Sequence, residues 1–301
     1  MDSGLREEFE EQLEVDFSFS VPGLSRFRVN AFKQRGSVAV VISTNPPSAP
    51  TMEELGIPEL VKKIVEESHS GLIVCGGPKQ CGKSSTLAAM VNYLLETRTC
   101  QIISLEDPID FLHKNKRGVI CQREIGNDVL SYDAGFAALK HQSADVVVVG
   151  NLDSYEVVSN VLRLASSGTL VLASCTATNV QSILEKIIDI CPAHLNQSVR
   201  NQIATGLRAV VGQVLLKKYS GDGLVPAFEL LVNSPQFKTL VRENKLHQIQ
   251  ALMAASARDF GMQTQEMALR FLVKKNLITM EEALRCTARP EEFRKIMSMP
   301  Y

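Results

Sequence analysis

The eight residues Gly77-Pro-Lys-Gln-Cys-Gly-Lys-Ser84 constrain this chain more than any other stretch. They match G-x-x-x-x-G-K-[ST], a pattern that cradles phosphate where a strand enters the loop and a helix leaves it. Both flanks are legible. Gly71-Leu-Ile-Val-Cys-Gly is a short apolar run, and from Ser84 to Thr97 the residues Leu87, Met90, Val91 and Leu94 recur at helical spacing. Such a loop turns backbone N–H groups inward and aims a helix N-terminus at an anion. The expected binding set is Gly77, Pro78, Lys79, Gln80, Cys81, Gly82, Lys83, Ser84 and Ser85, and the expected ligands are ATP and Mg²⁺. Lys83 would reach the β- and γ-phosphates and Ser84 would hold the metal. Cys81 lies beside a helix N-terminus, which lowers a thiol's pKa. The loop therefore reads either as redox-sensitive or as one that tolerates a small residue, with no resolving cysteine evident.

Further apolar runs, Gln101-Ile-Ile-Ser-Leu, Asp145-Val-Val-Val-Val and Thr169-Leu-Val-Leu-Ala, alternate with helical segments such as Leu60 to Glu67. Continuous apolar strands between helices imply a parallel sheet covered on both faces. The fold class is α/β, a P-loop (RecA-like) sheet flanked by helices. Before it, the stretch through about Ser43 reads as strands: Val15-Asp-Phe-Ser-Phe and Phe27-Arg-Val-Asn-Ala-Phe alternate, Pro22-Gly23 is a turn signal, and Val38-Ala-Val-Val-Ile is more buried. Asn45-Pro-Pro-Ser-Ala-Pro reads as a linker. Beyond Pro235 the chain reads as mostly helical, with Gln263 to Lys275 and Met280 to Arg285 amphipathic and Asn276 a breaker between them. The expected domains are residues 1–48 and 49–301, the latter with a helical part over 235–301.

At 45% hydrophobic and 22% charged residues this is the composition of a globular domain. A formal net charge of -1 supplies no global field for nucleic acid, so no nucleic-acid partner is expected. The apolar runs fall far short of the ~20 residues a membrane span needs. Seven cysteines without a C-x-x-C pair fit a reducing cytoplasm, and five isolated histidines show no metal-ligand spacing.

The P-loop, Ser104-Leu-Glu-Asp-Pro-Ile-Asp-Phe, Gln122-Arg-Glu and Phe260-Gly-Met-Gln-Thr together resemble the type IV pilus retraction ATPases, the PilT/PilU type of the secretion-motor ATPases. Phe19 to Phe32 resembles the end of that family's N-terminal domain. The resemblance implies a β-rich N-terminal domain, here expected to be truncated, and ATP held within a ring. It implies a homo-hexamer or a mixed ring with an active paralogue. The expected location is cytoplasmic, peripheral to the inner membrane through the pilus machinery. By the same resemblance Glu106, Asp110 and Arg123 are candidate catalytic residues.

The departures from the family fall on its chemistry. Asn151 stands where a glutamate is expected, Asp110 where the acidic motif closes on a glutamate proposed as general base, and Thr176 where a histidine is expected. Ser43 replaces an arginine, and Gln236-Phe-Lys-Thr-Leu-Val-Arg is a weakened form of the family's Ala-Ile-Arg-Asn-Leu-Ile-Arg. Asp145 is too far up its strand to substitute for Asn151. Asp153 reads either as a rescue acid near the metal or as an ordinary acid capping a helix. Arg123 and Glu124 read as a surface ion pair or as a phosphate sensor with its holder. Arg26 and Arg28 read as residues facing a neighbouring subunit or as solvated strand positions. Three functions follow: an ATP-binding accessory or regulatory motor subunit with impaired hydrolysis, an active hydrolase powering pilus retraction, or a nucleotide-independent scaffold.

Overall fold

The computed structural model describes residues 3–21, 25–45, 48–287 and 289–298. The Pro22-Gly23 turn, Pro46 and Pro47 of the linker and the side chain of Arg26 lie outside the described residues. The chain divides into two compact units, residues 1–49 with 108–113, and residues 50–107 with 114–301.

The first unit is not strands throughout. It begins with helix α1 (Ser3–Gln12), followed by β1 (Glu14–Val21), β2 (Ser25–Gln34) and β3 (Ser37–Asn45) in one antiparallel sheet of order β1-β2-β3. Leu5, Phe9 and Leu13 recur every four residues, a helical period that fixes α1. Leu13, with φ of 62°, turns the chain into β1. Val15, Val29 and Ala31 are buried, whereas Val38, Val40, Val41 and Ile42 on the edge strand are exposed, not buried as the sequence suggests.

The second unit runs α2 (Glu59–Glu67), β4 (Gly71–Gly77), α3 (Lys83–Thr97), β5 (Gln101–Glu106), β6 (Val119–Glu124), α4 (Tyr132–Leu139), β7 (Val146–Val149), α5 (Tyr155–Ser166), β8 (Leu170–Thr176), α6 (Val180–Asp189), α7 (Asn196–Gly206), β9 (Leu207–Lys217) and β10 (Leu224–Val232). Helices α8 (Pro235–Arg242), α9 (Ile249–Ala255), α10 (Ala257–Phe260), α11 (Gln265–Lys274), α12 (Met280–Cys286) and α13 (Pro290–Ser298) complete it. The sheet order is β10-β9-β4-β8-β7-β5-β6, parallel except for the antiparallel edge strand β10. The fold is therefore a mostly parallel sheet flanked by helices, with a helical C-terminal region.

Central strand β4 shows why its sequence is continuously apolar. Leu72 and Val74 enter one core with Val158, Val161 and Ile183, while Ile73 and Cys75 enter another with Val65, Met90 and Leu94. Both faces are covered, so alternation is lost. A third cluster, with Leu216, Leu269, Ile278 and Phe293, seats the last helices on the β9–β10 hairpin. Asn276, with φ of 54°, breaks the chain between α11 and α12. No helix among the described residues is long and apolar enough to cross a membrane.

Candidate functional site

Ligands of an open parallel sheet collect outside the carboxyl ends of its strands, and the sequence-marked residues of the second unit gather there. The loop from β4 to α3 is the tightest part. Gly77 has φ of 155°, and a Cβ on it would fall 2.2 Å from the Gln213 carbonyl oxygen and 2.5 Å from the Cys81 sulfur. No other residue fits that close approach. Helices α4, α5, α6, α8, α11 and α12 start on a Ser, Thr or Asn whose side chain accepts a backbone N–H. Helix α3 starts on Gly82, which offers none. Its first N–H groups are left for an anion.

The Lys83 ammonium donates to the carbonyls of Gly77 (3.0 Å) and Pro78 (2.7 Å), folding back over the loop. Pro78, Lys79, Gln80 and Ser84 are exposed, and Ser85 is half-buried. Cys81 is 3% exposed, and burial raises its thiol pKa against the opposing pull of Lys83 and backbone N–H groups. The helix N-terminus thus fails to make a thiolate, because desolvation outweighs it. That direction favours the reading of Cys81 as a small residue tolerated in the loop.

Four other strand ends flank the loop. Thr176 closes β8 in register with Gly77, and Ala177 N donates to the Gly77 carbonyl (3.3 Å). Lys186 of α6 donates to the Thr176 carbonyl (3.1 Å). After β7, Asn151 directs its amide nitrogen to Asp153 Oδ2 (3.1 Å), while its Oδ1 is buried without a partner. Asp153 is exposed, and it is Ser154 that caps α5 by accepting from Val157 N (3.3 Å). The capping role expected of Asp153 is therefore filled by its neighbour. Burial raises the Cys175 thiol pKa, and the charges acting on that thiol are Lys186, Lys83 and Asp153, so the acid and the P-loop lysine share one neighbourhood. Asp145 marks the opposite strand end, its carboxylate accepting from Gln101 N (2.8 Å).

Glu106 ends β5 and accepts from the Gln122 side chain (3.3 Å). Arg123 and Glu124 are successive residues of β6, so their side chains leave opposite faces. Arg123 Nη2 donates to the Asp128 carbonyl (3.2 Å), and the buried Glu124 accepts from the Asn127 amide. Asp110 belongs to the 108–113 segment of the first unit, and Arg28 is an exposed residue of β2 in that unit.

The family model for "Type II/IV secretion system protein" matches residues 26–285. The chain belongs to that family. Within it the chain is of the PilT/PilU retraction type. It is 38% identical over 293 residues to the type IV pilus retraction ATPase PilT of Pseudomonas aeruginosa, covering 97% of this chain and 84% of that one. It is 36% identical to the type IV pilus ATPase PilU of the same organism, covering 94% of this chain and 74% of that one. A crystal structure of the pilus retraction motor PilT with bound ADP superposes with a TM-score of 0.90 at 36% identity, covering 98% of this chain and 83% of that chain.

Three residues of this secretion-family chain complete the site without having been marked in the sequence. Gln213 of β9 is buried. Its amide donates to the Cys81 carbonyl (2.7 Å) and accepts from the Thr86 hydroxyl (2.6 Å), clamping the loop and the first turn of α3. A lone amide inside Ala209-Val-Val-Gly-Gln-Val-Leu-Leu was the available signal. Lys186 is the second. Tyr132 is the third: its ring stacks on Phe136 with centroids 6.3 Å apart. Burial, then Asp107, Asp153 and Glu106, push its phenol pKa well up, so it stays a neutral donor.

Proposed function

We propose that this chain binds ATP with Mg²⁺ through residues 77–85 and serves as an accessory or regulatory subunit of a type IV pilus retraction motor, hydrolysing ATP slowly. The uncapped start of α3, the Gly77 approach and the Gln213 clamp support a preformed phosphate cradle. Lys83 would take the β- and γ-phosphates, and the Ser84 hydroxyl would hold the metal. Bound Mg²⁺ supplies charge neutralisation to the phosphate chain. The likeness to PilT and PilU supports a homo-hexamer or a ring mixed with an active paralogue, peripheral to the inner membrane from the cytoplasmic side.

The observation that carries slow turnover is Asn151. A neutral amide ends β7, tied to Asp153, and it can neither accept a proton nor add charge beside a metal. Thr176 in turn offers no ionisable group. General acid–base help is worth ~10²–10⁴ in rate, and loss of its players removes most of it. Equilibrium titration with Mg²⁺ and ATP, followed by steady-state phosphate release on the same sample, tests this reading. Binding with little release is expected; release at the rate of an active motor ATPase defeats it, and failure to bind favours a scaffold.

A second reading has one observation behind it. Asp153 is held at 3.1 Å by the Asn151 amide and shares the Cys175 neighbourhood with Lys83, so it can stand in for the missing acid. If it does, Asp153→Ala abolishes phosphate release that the wild type shows.

A further inference from the structure

The opposite, amino-terminal edge of the same sheet holds a cavity of about 350 Å³ that the nucleotide reading does not use. Its lining brings Arg208, Lys238 and His69 together, with Ser68 and Asn233 as polar wall and Ile64 and Val232 as apolar wall. The one acid on the rim, Glu67, is exposed and lies 3.8 Å from Lys63. Among the described residues neither Arg208 nor Lys238 pairs with a carboxylate. One guanidinium and one ammonium group line this concavity with no carboxylate within ion-pair distance among the described residues, a charge arrangement that suits an anion.

Arg208 is held in place. Arg208 Nε donates to the Ser70 carbonyl (2.7 Å) and Nη2 to the Ser70 hydroxyl (3.2 Å), which leaves Nη1 uncommitted. Gly71, with φ of 106°, makes this crossing feasible, since a Cβ there would sit 2.6 Å from Arg208 Nε. Asn233 is fixed by its amide, which donates to the Ala204 and Leu207 carbonyls. Lys238 is the fourth residue of α8, whose N-cap Ser234 follows Asn233 in the chain, so the helix places its ammonium beside the Asn233 wall.

We infer that this cavity, lined by Arg208, Lys238 and His69, is a second anion site that takes a phosphate monoester, about 20 Å of strand away from the P-loop. The cavity volume suits one phosphate group and a small organic body. Such a group comes from a free phosphorylated metabolite or from a phosphorylated side chain of a partner, and the two sources use the same oxygens. Glucose 6-phosphate and a phosphoserine tetrapeptide, each titrated calorimetrically, separate them.

Titrations are run on the wild type, Lys83→Ala and Lys238→Glu. At least one probe should bind wild type and Lys83→Ala alike, and Lys238→Glu should weaken that binding about tenfold or more. Lys238→Arg should retain it, and unchanged melting of Lys238→Glu shows that the loss is local. Binding lost in Lys83→Ala, binding equal in Lys238→Glu, or no binding of either probe would each overturn the proposal.

Discussion

The two halves of the carboxyl edge of the sheet differ in how completely they are built. Around β4 and α3 every element converges: Gly77 admits the close approach, Gln213 clamps the loop from β9, and Lys83 lies over it. At the ends of β7 and β8 stand an amide and a hydroxyl, Asn151 and Thr176, with one Asn151 oxygen buried and unpartnered. The difference teaches that holding a nucleotide and reacting it are separable. The first depends on backbone geometry and one lysine, the second on ionisable groups at neighbouring strand ends. With an amide and a hydroxyl at those positions, β7 and β8 are still secured by their valine and leucine cores.

The largest test of that contrast rebuilds the weaker half. Asn151→Glu combined with Asp110→Glu should raise steady-state phosphate release by ~10²-fold or more, within the range of general acid–base assistance. An unchanged rate would mean that these two positions do not limit turnover.

Next comes removal of the stronger half's charge. Lys83→Ala should weaken ATP binding by about 10²-fold in a titration, as expected for losing a charge-assisted hydrogen bond to phosphate, with little change in melting temperature. A smaller effect is expected behind the loop. Gln213→Leu leaves the Cys81 carbonyl and Thr86 hydroxyl unsatisfied, at a cost of ~1–3 kcal/mol in stability. Denaturant unfolding would measure it, and nucleotide affinity should fall with it; an unshifted midpoint would remove Gln213 from the clamp.

The smallest effect concerns Cys81. Its pKa is raised by burial, so the neutral thiol prevails around neutral pH and the reactive thiolate appears only as pH rises past the ordinary thiol range. Alkylation of the native protein at pH 7 should therefore leave Cys81 unmodified in peptide mapping, with exposed Cys121 labelled instead. Rapid labelling of Cys81 would restore the redox-sensitive reading of the loop.

How much was legible follows from how local each signal is. The P-loop and its flanks are contiguous, and so were readable residue by residue, whereas Asn151 and Thr176 stood out only against the motifs of the family the chain resembles. Helix α1 carried its own signal in Leu5, Phe9 and Leu13, which a sheet-forming neighbourhood concealed. Strands β9 and β10 were missed because long apolar runs such as Leu207–Lys217 do not distinguish strand from buried helix. Gln213 acts on residues 127 and 132 positions away in sequence, and no periodicity reports such a contact. Grouping of 108–113 with the first unit is likewise a long-range event, and it carried Asp110 out of the unit that holds the P-loop.

The most direct measurement is a single-turnover experiment, with protein in excess over γ-labelled ATP and Mg²⁺ and the reaction quenched over time. If the gripping half is whole and the reacting half is not, label stays bound and is recovered as intact ATP long after an active motor would have cleaved it. Conversion of the bound ATP to ADP within seconds would contradict the account.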